Sequence, residues 1–171
     1  MPQFYLLPDL PGMDVKDKLI QLTAELAVYT GNLKDPETAA KNLFDRLIDY
    51  LPLPPPVSED GSVLHEVSTL EFTKVGLAPL SDMFSLCWQV ECLMFAFHTI
   101  GRQAETFLKS DEERIKDFRS RLQYLARGVQ GYIKKLKEFL AKAPAGTKPE
   151  DLNIKKIALK TNENIQVLAD Y

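Results

Sequence analysis

Cysteine and histidine are scarce in this chain of 171 residues: Cys87, Cys92, His65 and His98 are all there is of either. With so few, no Cys/His metal cluster and no Ser/His/Asp triad with a choice of partners can be assembled. The two cysteines stand five apart in what reads as one helix, so they leave it on different sides and cannot meet in a disulfide. Reduced thiols of this kind suit an intracellular compartment. The N-terminus lacks a basic region followed by an apolar stretch, and no arginine precedes Arg46, which argues against a secretory signal and against a mitochondrial transit peptide. A cytoplasmic or nuclear setting is expected. Walker loop, dinucleotide fingerprint, zinc-ligand spacing and nucleophile elbow are all missing. The chain therefore reads as a non-enzyme with no catalytic residue, no cofactor and no metal.

Proline is missing where it matters most. All eleven prolines fall in residues 1–79 or 144–149, and residues 80–143 have none, so the long helices are expected there. Residues 83–101 approach membrane-spanning length, yet Gln89, Glu91 and His98 interrupt them, and a central acid costs roughly 2.5 to 3.5 kcal/mol on insertion scales. A buried core helix is the better reading, with no transmembrane segment.

What is present is helical periodicity. Asp14 is a suitable N-cap, and Val15, Leu19, Leu22, Leu26 and Tyr29 step by 4, 3, 4, 3 along one face until Gly31, predicting a first helix over about 14–30 that buries this stripe. Asp35 followed by Pro36 opens a second, about 36–51, with Ala40, Phe44, Leu47 and Leu51 inward. Pro52 then begins a Pro-rich crossover over 52–61, a rigid spacer that contains a minimal PxxP. Residues 62–75 fit a short helix by Val63, Leu64, Val67 and Leu70, or a strand by Leu70, Phe72 and Val75.

The strongest pattern follows. Leu86, Val90, Leu93, Phe97, Ile100, Ala104 and Phe107 make one seam, and Ile115, Phe118, Leu122, Leu125, Val129, Tyr132, Leu136 and Phe139 make another. Joined near 108–110, with Ser110 and Glu113 as a capping box, they predict a long antiparallel hairpin of helices over about 81–108 and 111–142, Leu93 near Val129 and Val90 near Tyr132. Residues 149–170 add a C-terminal helix weakened near Thr161 and Asn162. The expected fold is thus all-α, a helical bundle forming one domain over 1–171. The helical pattern is unfinished at Tyr171, as in a piece of a longer chain. Residues 1–12 read as an extended arm whose Phe4, Tyr5, Leu6 and Leu7 could engage a partner.

Charge is unevenly spread. The totals, 21 basic and 24 acidic residues, leave a net −3, but residues 1–80 carry −6 and residues 110–171 carry +4. Arg119, Arg127, Lys134, Lys135, Lys137, Lys155 and Lys156 form a candidate basic surface, which acids such as Asp117 and Glu138 dilute. Glu91, in the most apolar helix, is expected to find a hydrogen-bond or cationic partner between helices. On these grounds the first functional expectation is a protein-protein interaction domain, an adaptor, scaffold or subunit that binds other protein subunits. Binding of nucleic acid or an anionic membrane through the basic C-terminal half comes second, and an apolar ligand held between the helices third.

Overall fold

A computed structural model describes residues 14–54, 80–143 and 147–169, with side chains throughout these except at 80–86 and 108. The arm with Phe4, Tyr5, Leu6 and Leu7, the crossover beyond Pro54 and the ambiguous stretch 62–75 lie outside the described residues. Those described form six helices: α1 (Val15–Ala27), α2 (Pro36–Tyr50), α3 (Leu80–Gly101), α4 (Glu105–Lys109), α5 (Glu112–Ala141) and α6 (Pro149–Ala169). The all-α expectation holds.

Local chemistry sets the first two helices as read. The Asp14 carboxylate accepts from the Asp17 N–H at 2.8 Å, and Asp35 accepts from Thr38 at 3.0 Å with Pro36 just behind the cap. Each such cap stabilises its helix by about 1 kcal/mol. Gly31 adopts φ +47°, a left-handed turn that a side chain would strain, and it turns the chain from α1 into α2.

α3 is the axis. Cys87, Trp88, Val90, Glu91, Cys92, Leu93, Met94, Ala96 and Phe97 are all buried, because α1, α2 and α6 pack around it. A helix apolar on most sides is stable only when enclosed in this way. Contacts along the chain give the directions. Asp17 meets Gln89 and, beyond the end of α1, Leu33 meets Gln103; Cys87 meets Asn162 and Glu91 meets Asn164, so α1 and α6 run parallel to α3. Lys137 reaches Glu163, and Lys155 sits over Phe139, so α5 and α6 are an antiparallel pair.

The long hairpin needs correction in its local chemistry and in its packing. Its first arm does not run to 108: α3 stops at Gly101, the Gln103 and Ala104 N–H groups close turns onto Ile100 and Gly101, and Gln103 Oε1 accepts from the Leu33 N–H at 3.0 Å. A side-chain acceptor from the end of α3 is thereby committed to the α1–α2 turn, and the chain restarts as the short α4. The cap of α5 is also not Ser110. Asp111 accepts from the Arg114 N–H at 3.0 Å, while Ser110 is occupied as the C-cap of α4, its hydroxyl donating to the Phe107 carbonyl.

The second correction concerns packing. α3 and α5 run antiparallel, but their backbones barely approach each other; α6 packs against both. They meet instead through large side chains. Phe44 of α2 lies 5.7 Å from Phe97, 5.5 Å from Phe107 and 5.2 Å from Phe118, and Phe97 and Phe118 are 5.7 Å apart between ring centres. Tilted and edge-on pairs of this kind stabilise by about 0.5–1.5 kcal/mol each beyond their burial. This aromatic junction clasps α2, α3, α4 and α5, and it joins α5 to α2 and α3 where backbone packing does not. Leu93, Leu125 and Val129 are buried, as the seams require, although the seams do not close directly on one another.

Candidate protein-interaction surface

α1 carries two apolar stripes, and the structure buries the smaller one. Ile20, Ala24 and Ala27, with Asp17 and Gln21, face α3. Val15, Leu19, Leu22, Leu26 and Tyr29, expected inside, point to solvent and are 79%, 60%, 48%, 61% and 84% exposed. The reason is steric and polar together. Ala24 and Ala27 let α1 approach the bulky α3 closely, and the Gln89 amide donates to the Asp17 carboxylate, so the polar pair on that face is satisfied where it is buried. The outward stripe runs about 17 Å along the helix at 1.5 Å per residue from Val15 to Leu26. Scattered exposed leucines are ordinary; a contiguous row of large apolar side chains marks a surface that another apolar surface covers.

The basic residues divide into three groups. Arg119, Arg127, Lys134 and Lys137 fall on one quarter of the α5 surface at 3.6 residues per turn, all exposed. Lys137 pairs with Glu163 at 2.9 Å, whereas Arg119, Arg127 and Lys134 have no ion-pair partner among the described residues. Lys135 lies off this stripe. Lys155 and Lys156 are on α6, where Lys155 lies 3.7 Å from the Phe139 ring centre and serves that contact. The seven residues are therefore one short stripe and three outliers rather than a single patch.

Inside, the α3–α6 interface holds polar groups that the sequence pattern could not pair. Asn164 Nδ2 donates to Glu91 Oε1, and Asn162 Nδ2 donates to the Ala158 carbonyl at 2.7 Å. α6 runs unbroken through Thr161 and Asn162 because both side chains turn inward at this interface. Burial raises the Glu91 carboxyl to about 7, against the opposing pull of Asn164, of the nearby Thr161 hydroxyl and of Lys160. Burial likewise raises the Cys87 thiol to about 11, which leaves it protonated and unreactive. Cys92 is pushed up by the same cause, with the charges of Glu91, Glu25 and Asp17 adding to it. These groups are sealed between helices and tie α6 to α3. No set of three or more His, Cys, Asp or Glu side chains converges to hold a metal among the described residues, and no helix among them is long and apolar enough to cross a membrane.

The described residues define a helical domain with an exposed apolar row along its first helix. Comparison with known proteins places it more narrowly: the model of the Apoptosis inhibitory protein 5 (API5) family matches residues 1–170, and the chain belongs to that family. It is 37% identical over 167 residues to apoptosis inhibitor 5 of Mus musculus, covering 95% of this chain and 30% of the relative. The Homo sapiens protein gives 37% over 167 residues and 29% of its length, and the Drosophila melanogaster homolog 38% over 154 residues and 26%. The chain thus spans less than a third of the length of these relatives.

Proposed function

We propose that this chain is a non-enzymatic protein-protein interaction domain, an adaptor or subunit of a larger assembly in the cytoplasm or nucleus. One observation carries the reading: the outward row Val15, Leu19, Leu22 and Leu26 on α1, continued by Tyr29 in the turn after it, whose 4, 3, 4, 3 spacing is the narrow seam that one helix offers another. Its partner surface is an apolar helix face on another polypeptide or another part of a longer family member. The relatives' name, apoptosis inhibitor, fits a role exercised by occupying protein surface. The arm at 1–12 remains a candidate second contact.

The test is quantitative affinity purification with the parent and with a Leu19→Ser, Leu22→Ser, Leu26→Ser variant. Recovery of a stoichiometric protein by the parent and its loss from a variant of unchanged helical circular dichroism supports the reading. Absence of any stoichiometric partner, or one retained by the variant, overturns it.

A second reading, contact with nucleic acid or anionic lipid, has the unpaired Arg119, Arg127 and Lys134 in its favour. It requires binding that weakens steeply with salt.

A further inference from the structure

Where α3 and α5 stand apart, side chains do not fill all the space between them. A cavity of about 400 Å³ opens there, walled by Leu47 of α2, Met94 and Phe97 of α3, Phe118 and Leu122 of α5, and Leu168 of α6. Its volume lies in the range of small-molecule sites, about 300–1,000 Å³, near the lower end. The wall is apolar, and it is irregular and soft, with a methionine among leucines and phenylalanines.

The rim differs. The side chains of His98 and Arg102 border the cavity beside the bare backbone of Gly101. Arg102 Nη2 lies 3.3 Å from His98 Nε2, and no carboxylate pairs with Arg102 among the described residues. His98 is held below its ordinary value by burial and by Arg102, so near neutral pH it is the neutral member and Arg102 the cation. A guanidinium at the mouth of an apolar cavity, with no carboxylate on it among the described residues, is matched by a ligand with an apolar body and one terminal anion.

We infer that this cavity binds a single-chain carboxylate, a medium-length fatty acid, with its chain against Met94, Phe97, Phe118 and Leu122 and its carboxylate on Arg102. One chain suits the volume, and a two-chain lipid does not. This site lies on helices other than α1 and stands independently of the interaction reading.

Isothermal titration of the 171-residue chain with laurate, dodecanol and lauroyl lysophosphatidylcholine tests it. Laurate is expected to bind one to one. Dodecanol, which has the same chain and no carboxylate, should bind about tenfold more weakly, the effect of losing one charge-assisted hydrogen bond. The exposed substitution Arg102→Gln should bring laurate down to the level of dodecanol and leave dodecanol unchanged, and Leu122→Trp should weaken both by filling the cavity. Since Leu122→Trp could disturb packing, its circular dichroism is compared with the parent, and Arg102→Gln alone keeps the inference testable. No laurate binding, binding indifferent to Arg102→Gln, or equal binding of the lysophospholipid overturns it. The α1 serine variant should bind laurate normally, which separates failure here from failure of the α1 surface.

Discussion

The stripe of α1 and the aromatic junction around Phe44 have the same kind of sequence and opposite fates. Val15, Leu19, Leu22 and Leu26 step by three and four along α1, as do Ala40, Phe44, Leu47 and Leu51 in the row of α2 that supplies Phe44. Phe44 is buried against three rings drawn from α3, α4 and α5, whereas Leu19 and Leu26 stand in water. Periodicity therefore says that a helix has an apolar face, and not what covers it. In α1 the choice between two faces was made by size and by polar satisfaction: two alanines and a satisfied Asp17–Gln89 pair went in, and the leucines stayed out.

The sharpest way to break the contrast is truncation on both sides of it. Phe44→Ala removes the ring that joins four helices and should destabilise by about 3–5 kcal/mol, as deletion of buried aromatics does. Urea unfolding measures it, and a loss under about 1 kcal/mol would mean that the junction is not the clasp described.

An intermediate effect is expected from Glu91, where the α3–α6 interface depends on protonation. Its folded value near 7 stands above the ordinary 4.5. The folded state therefore holds the proton more tightly than the unfolded chain. That stabilising contribution is complete below pH 4.5 and is lost as pH rises through 7. The loss is of the order of 2–4 kcal/mol at 1.36 kcal/mol per unit. The difference in stability between Glu91→Gln and the parent, followed from pH 5 to 8, should widen in favour of the variant. A parallel pair of curves would show that the carboxyl is hydrated after all.

The smallest effect is expected at the exposed stripe. Leu19→Ser should change the stability of the isolated chain by no more than about 0.5 kcal/mol, the ordinary range for a surface site. A cost resembling that of Phe44→Ala would put Leu19 in a core.

Much of the framework could be read before any coordinates. Asp14, Asp35 with Pro36, Gly31 and the proline-free stretch act locally, through caps and turns that need only neighbours in sequence, and they located α1, α2 and the long helices. The inward face of α2 was also readable, since Ala40, Phe44, Leu47 and Leu51 form its only strong stripe. What could not be read depended on distant partners. Gln103 ends α3 by reaching Leu33, α6 keeps α3 and α5 from closing on one another, and the cavity exists only because of that separation. Glu91 was recognisable as a buried acid needing a partner, while the identity of Asn164 as that partner was not.

The polar links that hold this fold also set the order in which it can be made. Asp17 to Gln89, Leu33 to Gln103, Leu51 to Arg121 and Glu91 to Asn164 span 72, 70, 70 and 73 residues. During synthesis, α1 and α2 leave the ribosome well before the helix that covers their inner faces exists. At about 5–20 residues per second, roughly 4 to 14 s pass before the axis arrives. For that interval α1 exposes both apolar stripes rather than one, and the nascent chain is at its most adhesive until the axis emerges.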